Sequence, residues 1–177
     1  KILPKGQNRV FFNDNGSTAV EAGIKMALQY YFNLEEKRNT FIAFENGFHG
    51  DTFGAMAVSG LSVYNGPFED FLMDVQRIPT PNGENLQEIL ATLKKYSENY
   101  KIAGFIYEPI IQGAAGMKIH DTKGLNEILN FCKTNDILTI ADEVMTGFGK
   151  TGRNFASDFI DTKPDIICLS KALTGGL

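Results

Sequence analysis

The sequence predicts an α/β fold with three layers, in which a mostly parallel sheet is flanked by helices. Short apolar runs alternate with segments of helical periodicity along the chain, and this alternation is typical of parallel strands joined by crossover helices. The later apolar runs are uninterrupted, as strands covered on both faces are. With 177 residues, 43% of them hydrophobic, the chain is long enough for the core of about one domain.

Six segments have the length and the apolar character of strands. Turn-forming residues or helical segments bound them, so we expect one strand from each. The predicted strands are residues 9–12, 40–44, 75–78, 102–107, 137–141 and 166–169.

Three further segments repeat apolar residues every three or four positions, which predicts amphipathic helices. A shorter helix is expected in the Gly- and Ala-rich residues 50–60. Thr18 and Glu21 fit an S/T-x-x-E capping box at the start of the first long helix. The periodic residues are Val20, Ile24, Ala27, Leu28 and Tyr31; Leu86, Ile89, Leu90, Leu93 and Tyr96; and Leu125, Ile128, Leu129 and Cys132.

The composition disfavours several classes of function. A net charge of -4 and a pI near 5.2 argue against a nucleic-acid surface, and no stretch resembles a membrane span or a secretory signal, which predicts a cytoplasmic protein. Cys132 and Cys168 lie in apolar periodic segments, and His49 and His120 have no metal-ligand spacing to them. We expect core cysteines, with neither a disulfide nor a metal site.

Polar residues follow the carboxyl ends of several predicted strands, at the edge where open α/β sheets bind ligands. Lys171 and Asp142 each follow an apolar strand. A buried carboxylate needs a partner, and a lysine that forms a Schiff base together with an aspartate that keeps a pyridine nitrogen protonated are what pyridoxal phosphate requires. Taken singly, Lys171 is better explained as a solvated surface lysine, as most lysines in such loops are.

Other residues at this edge suit the same cofactor. Gly16 and Ser17 open a helix, where free N–H groups and the positive end of the helix dipole bind phosphate. Phe48 and Val144 are suited to sandwich a planar ring, although such residues are more often plain core. Glu108 is another strand-end carboxylate, for which a structural ion pair is an equal alternative.

One motif favours a different class of enzyme. Residues 147–152 match G-x-G-x-x-G downstream of a strand, which suggests a nicotinamide-dependent oxidoreductase. However, five residues separate the motif from the strand, and the sequence after it has no convincing amphipathic helix. The dinucleotide reading is therefore weaker than the pyridoxal phosphate reading.

Five motifs together resemble the class III aminotransferases, which are pyridoxal-phosphate enzymes. They occur in the right order over nearly the whole chain, so the resemblance is far more specific than any one motif. The motifs are NGSTAVEA at 15–22, GFHGDT at 47–52, EPIIQG at 108–113, DEVMTGFGKTG at 142–152 and SKALTGG at 170–176.

Within this family, the motifs are most similar to those of the branch that works in biotin biosynthesis. Asp51, Met145, the segment 112–117 and the segment 171–176 are typical of that branch. The resemblance implies amino transfer to 8-amino-7-oxononanoate from a donor such as S-adenosylmethionine, giving 7,8-diaminononanoate. Ornithine, 4-aminobutyrate or diamine aminotransferases of the same family remain the alternative, and a non-catalytic domain with the same fold is a further one.

The resemblance also implies roles for single residues. Lys171 would bond to the cofactor and Asp142 would pair with its pyridine nitrogen, while Gly16 and Ser17 bind its phosphate. Phe48 and Val144 would flank the ring, and Phe48, Asp51 and Glu108 would lie on the substrate side. The enzymes of the biotin branch usually carry Tyr where Phe48 stands. Phe48 can still stack on the cofactor ring, but it lacks the hydroxyl that helps to form the substrate site in those enzymes.

The chain has the features of a fragment. It begins without methionine and stops at residues 175–177, just after a loop-like segment, where such a domain is expected to continue. The resemblance implies that residues 1–177 are part of the cofactor-binding large domain, with the remaining strand and a small domain outside them. It also implies a homodimer in the full-length protein, and poor activity of these residues alone.

Overall fold

The computed structural model of the chain describes residues 2–4, 6–60 and 65–175. Short 3-10 helices occur at Gly66–Phe71, Ala156–Phe159 and Lys171–Leu173. The α-helices are α1 (Gly16–Asn33), α2 (Phe53–Val58), α3 (Leu86–Asn99) and α4 (Thr122–Thr134), and the strands are β1 (Thr40–Phe44), β2 (Val75–Ile78), β3 (Ile102–Tyr107), β4 (Ile111–Gln112), β5 (Lys118–Ile119), β6 (Leu138–Asp142) and β7 (Ile166–Cys168).

In the described ranges, five strands form one sheet in the order β2-β1-β3-β6-β7, and every pairing in it is parallel. Ile106 of β3 lies opposite Ile140 of β6, and Asp142 at the end of β6 lies opposite Cys168 at the end of β7. Parallel pairing brings the carboxyl ends of all five strands to one edge. The α/β prediction is confirmed.

Helices cover both faces of the sheet because successive strand residues point to opposite sides. Phe41 and Ala43 of β1 pack in a cluster with residues of α1 and α2. Ile42 and Phe44 of the same strand pack in a second cluster, with residues of α3 and α4. Every residue of β1 and β3 is buried, as strands in the middle layer should be.

The helix α1 crosses close over β6 and β7. A Cβ placed on Gly23 would lie 3.3 Å from Cys168 Sγ and 3.5 Å from side-chain atoms of Ile140 and Ile166. At the start of the helix, a Cβ on Gly16 would lie 2.8 Å from Val144 Cγ1. These two glycines set the separation between the helix and the sheet and bring the amino end of α1 to the carboxyl edge of β6.

Both cysteines are core residues, as the sequence predicted. Cys132 on α4 and Cys168 on β7 are buried with free thiols, and burial raises the pKa of each well above its usual range. Such thiols are unreactive packing groups. No helix in the described part of the chain has the length and apolar character needed to cross a membrane.

Two local predictions were wrong. Residues 9–12 form no strand, and Val10, Phe11 and Phe12 are 68%, 66% and 88% exposed. An apolar run is not sufficient to form a strand, because a strand also needs a neighbouring strand that supplies backbone hydrogen bonds. The capping box at α1 is formed by Asn15 and Thr18, not by Thr18 and Glu21, because the helix begins three residues earlier than that pattern assumes.

Smaller differences concern boundaries and short elements. The strand predicted at 137–141 is found at Leu138–Asp142, and the one predicted at 166–169 ends at Cys168; shifts of this size are normal at strand ends. The hairpin of β4 and β5 was not predicted, because strands of two residues leave no periodic signal.

Candidate active site

A cavity of about 640 Å³ opens at the carboxyl edge of the sheet. Four elements meet around it: the start of α1 and the segments that follow β1, β3 and β6. A fifth segment, directly after β7, closes the remaining side. The cavity is lined by Asn15, Gly16, Ser17, Phe48, His49, Gly50, Glu108, Gly113, Ala114, Asp142, Val144, Met145, Thr146, Ser170 and Lys171.

The fold therefore gathers residues that are far apart in the sequence. Seven of the eight residues singled out from the sequence line this cavity, namely Gly16, Ser17, Phe48, Glu108, Asp142, Val144 and Lys171. The eighth, Asp51, has an exposed side chain and is not among the lining residues. Its role on the substrate side stays a prediction.

The amino end of α1 presents N–H groups to the cavity. Asn15 is the N-cap, and its side-chain oxygen accepts from Thr18 N at 3.1 Å. Gly16 and Ser17 are the first two residues of α1. The N–H groups of the first turn have no partner within a helix. With the positive end of the dipole of an 18-residue helix behind them, these groups favour an anion.

The segment after β1 folds tightly against this helix start. Asp51 N donates to Ser17 Oγ at 3.1 Å, and Gly50 has a φ of +130°, which side-chain-bearing residues rarely adopt. A Cβ on Gly50 would lie 2.3 Å from Ser17 Oγ. Only glycine fits here, and it holds the wall containing Phe48 and His49 against the helix start.

Asp142 is a buried carboxylate at the carboxyl end of β6, with 5% of its surface exposed. Its Oδ1 accepts from Val144 N at 3.0 Å, and its Oδ2 lies 2.7 Å from His49 Nδ1. Each oxygen keeps a second lone pair. The carboxylate is therefore held in one orientation while it can still accept a hydrogen bond from a group inside the cavity.

His49 is a site residue that the sequence reasoning missed. It was considered only as a metal ligand, and its lack of spacing to the cysteines removed it from attention. Its ring is buried and contacts Asp142 across 93 residues of sequence. The signal was the position of His49 directly after Phe48 at a strand end, next to residues already assigned to the site.

Glu108 follows β3 and lies on the cavity wall, 6% exposed. Its two oxygens accept from Phe48 N at 3.3 Å and from Gly113 N at 3.0 Å, so the carboxylate joins two loops of the wall. Burial raises the pKa of Glu108, and the hydrogen bonds from the two backbone N–H groups partly oppose that rise. The ion pair considered as an alternative for this residue is not found among the described residues, where backbone N–H groups are its partners.

Lys171 begins a 3-10 helix directly after β7 and lines the cavity. Its φ of +38° lies in the left-handed region, which is uncommon for a residue with a side chain. Such a conformation costs about 1–3 kcal/mol and is concentrated at functional sites. Lys171 is exposed in the described part of the chain, so its bond to a cofactor stays a prediction.

The glycine-rich segment 147–152 does not have the structure of a dinucleotide-binding loop. Glu143, fully buried, accepts hydrogen bonds from Thr146 Oγ1, Ala156 N and Ser157 N, each at 2.8 Å. The segment between these contacts consists of turns, and a four-residue 3-10 helix follows it. A dinucleotide fingerprint leads from a strand directly into a helix, so the structure does not support it.

The whole chain matches one known protein family. The family model described as Aminotransferase class-III matches residues 1–177, the whole of the chain. The chain belongs to the class III aminotransferase family.

Individual relatives in the family share one name. The chain is 46% identical over 184 residues to the adenosylmethionine-8-amino-7-oxononanoate aminotransferase of Synechococcus elongatus, and 40% identical over 191 residues to that of Staphylococcus aureus. Each match covers 99% of the chain but only 43% and 42% of the relative. The chain thus spans about two fifths of the length of the curated relatives it matches.

Solved structures of the family have the same fold. The enzyme of that name from Methanocaldococcus jannaschii superposes with a TM-score of 0.91 at 40% identity, covering 99% of this chain and 41% of that one. The PMP-bound form of an aminotransferase from Vibrio fluvialis gives a TM-score of 0.87 at 28% identity, with 99% and 42% covered. These similarities extend the family assignment from motifs to the three-dimensional arrangement.

Proposed function

We propose that the protein carrying this chain is a pyridoxal-phosphate-dependent aminotransferase that converts 8-amino-7-oxononanoate to 7,8-diaminononanoate in biotin biosynthesis. The observation that supports this most is the meeting of Lys171 and Asp142 in one cavity with the amino end of α1. An amine, a buried carboxylate and an anion site are the three groups that this cofactor needs from a protein.

The residues present fit the cofactor. Gly16 and Ser17 would hold the phosphate through N–H groups of the first turn of α1, which the cap leaves free. Asp142 would accept from the protonated ring nitrogen with a lone pair that neither Val144 N nor His49 uses. Phe48 and Val144 line the same cavity and would enclose the ring, while its volume of about 640 Å³ lies within the range of small-molecule sites.

Pyridoxal phosphate supplies an aldehyde that accepts amines and a protonated ring that withdraws electrons from the carbon next to the nitrogen. Lys171 Nζ is the amine that would bond to it and then, once a substrate has replaced it, hold the proton that moves between carbon atoms. Asp142 would place a carboxylate oxygen beside the ring nitrogen, in the orientation fixed by its contacts with Val144 N and His49.

The choice of substrate rests on the relatives. Adenosylmethionine and 8-amino-7-oxononanoate are named in the enzymes from Synechococcus and Staphylococcus, and we extend both to the protein carrying this chain as amino donor and acceptor. Phe48 and Glu108 line the cavity beside the cofactor site and are proposed to contact substrate, with Asp51 further out.

The same comparison supports a proposal for assembly. Residues 1–177 would form part of the large domain, with the rest of that domain and a small domain supplied by the remainder of the full-length protein, as a cytoplasmic homodimer. The match to the Synechococcus relative covers 43% of its length. Isolated residues 1–177 are then expected to transaminate poorly, since residues from outside them would complete the site.

The test is the visible spectrum of the full-length protein with pyridoxal phosphate, recorded before and after addition of 7,8-diaminononanoate. Bleaching of the bound cofactor's band, with growth of the band of its amino form, is the expected result. If the band is unchanged by this amine but changes with ornithine, 4-aminobutyrate or another diamine, the protein is an aminotransferase that acts on that other amine. Failure to form any band would overturn the role of Lys171.

A further inference from the structure

Two buried polar atoms next to the Asp142–His49 pair have no hydrogen-bond partner among residues 2–4, 6–60 and 65–175. They are His49 Nε2, on the side of the ring away from Asp142, and Gln112 Oε1, at the end of β4. His49 is 3% exposed and Gln112 is 0% exposed. Leaving such groups unsatisfied costs about 1–3 kcal/mol each, so a partner for them is expected.

Both side chains lie over the same backbone glycine. A Cβ on Gly47 would lie 3.1 Å from His49 Nε2 and 3.6 Å from Gln112 Nε2. The two nitrogens are therefore separated by no more than the sum of these distances. No direct hydrogen bond joins them in the described part of the chain. One bridging water spans two hydrogen bonds of about 2.7–3.2 Å each, which lies within this limit.

The orientation of the Gln112 amide is fixed by its other contact. Gln112 Nε2 donates to the backbone oxygen of Glu45 at 2.8 Å. A carbonyl oxygen can only accept, so the nitrogen and not the oxygen of the Gln112 amide faces Glu45. A primary amide has two N–H groups. One is used by Glu45, and the second is left on the nitrogen, which lies nearer than Oε1 to the position that a Cβ on Gly47 would take.

We propose that Gln112 is a positioning residue that donates this second hydrogen through one water to His49 Nε2, and thereby holds His49 in the Nδ1–H tautomer. The Nδ1–H then donates to Asp142 Oδ2 at the observed 2.7 Å. In the other neutral tautomer, a lone pair on Nδ1 would face a carboxylate oxygen at that distance, which is repulsive. Gln112 thus acts on Asp142 through His49.

The space above Gly47 is part of this arrangement. Its missing side chain leaves the path between Gln112 and His49 open, and a methyl group 3.1 Å from Nε2 would displace either the amide or the water. The consequence for catalysis rests on the proposed function, because it matters only if Asp142 serves a ring nitrogen. The tautomer itself is a property of the cofactor-free protein.

The first test is ¹⁵N-histidine NMR of the cofactor-free full-length protein at neutral pH, with the His49 signals assigned by their loss in His49→Asn. We expect Nδ1 to be protonated and Nε2 to be unprotonated. Gln112→Glu places an acceptor where the donor was, and should move the Nε2 resonance to that of a protonated nitrogen. Gly47→Ala should change the tautomer ratio about two- to tenfold, the worth of one hydrogen bond.

Gln87→Glu, the same change on the exposed face of α3, is the control for added charge and should leave the His49 signals unchanged. A protonated Nε2 in the parent protein overturns the proposal. Unchanged His49 signals in both Gln112→Glu and Gly47→Ala, with the rest of the spectrum folded, also overturn it. Because one variant alters the amide and the other leaves it intact, poor folding of either does not remove the test.

A second readout connects Gln112 to the reaction. In the cofactor-loaded full-length enzyme, Gln112→Glu should lower kcat while KM for the amine changes less than twofold, because the residue acts on the ring partner and not on substrate. An equal fall in kcat and rise in KM would indicate a general loss of site structure and contradict the proposal. Failure of the aminotransferase assignment would appear separately, as a missing spectral response in the unaltered protein.

Discussion

The Glu21 carboxylate of α1 caps the amino end of α2 through Thr52: its Oε2 accepts from Thr52 Oγ1 at 2.6 Å and from Ala55 N at 3.1 Å. The carboxylate lies against the α2 backbone, since a Cβ on Gly54 would come 2.5 Å from Glu21 Oε1. The segment between β1 and α2 carries Phe48 and His49. A side chain of one helix therefore fixes the end of the segment that forms one cavity wall.

Replacement of this cap is the first prediction. Glu21→Ala should lower the free energy of unfolding by about 0.5–2 kcal/mol, the range measured for lost helix caps, and should weaken cofactor binding because the cavity wall loosens. Glu88→Ala, on the exposed face of the first turn of α3, is the matched control and should cost less than about 0.5 kcal/mol. Urea unfolding of the full-length protein measures both; equal losses in the two variants would contradict the capping role.

Substitutions of the adjacent acids Asp142 and Glu143 are expected to have different effects, one on turnover and the other on stability. Asp142→Asn should lower turnover about a hundredfold or more, because the developing charge loses its partner, with a smaller loss of stability than at Glu143, because the imidazole of His49 can accept a hydrogen bond from the new amide. Glu143→Gln should lower stability by about 2–4 kcal/mol, since an amide cannot accept at both ends from the N–H groups of Ala156 and Ser157. Steady-state kinetics and chemical denaturation on both variants separate the roles. The reverse pattern would remove Asp142 from the site.

Lys171 is predicted to be the covalent attachment point. Lys171→Ala should reduce transamination by at least about a thousandfold, and borohydride reduction should no longer fix pyridoxal phosphate to the peptide containing this residue. Lys150→Ala, in the exposed glycine-rich loop, should keep both properties. Peptide mass spectrometry reads the attachment directly, and turnover at the parent rate by Lys171→Ala would refute the assignment.

His120 should make the protein sensitive to acid. Burial, with a smaller contribution from Lys118, lowers the pKa of His120 from 6.5 to about 4. Between these values the unfolded chain binds more protons than the native one, so the free energy of unfolding falls as the pH falls through this range, by about 3 kcal/mol in all. Above pH 6.5 the group has no effect.

His120→Phe preserves the ring contact with Phe44, whose centroid lies 5.4 Å away. It also removes both ring nitrogens, which have no hydrogen-bond partner in the part of the chain that the structure describes. Urea unfolding of parent and variant at several pH values measures the difference. The variant should lack this acid-dependent loss. If the two proteins lose stability in parallel between pH 6.5 and 4, His120 is not the group responsible.

Much of the fold could be predicted because its signals are local. β1, β2 and β3 were found at the predicted residues. For β1 and β3 the reason is that nearly continuous apolar runs between turns admit few alternatives. Residues 9–12 carried a similar run but form no strand. Pairing depends on a neighbour, and no local pattern contains that information.

The sequence by itself determined the α/β class, the long helices, the family motifs and seven residues that line one cavity. Only the tertiary structure decided how those residues act together. The contact of His49 with Asp142, the cap that Glu21 provides for α2, and the approach of Gln112 to Gly47 each join residues from separate elements. Hydrogen bonds and close contacts of this kind depend on distances in space, which spacing along the chain does not specify.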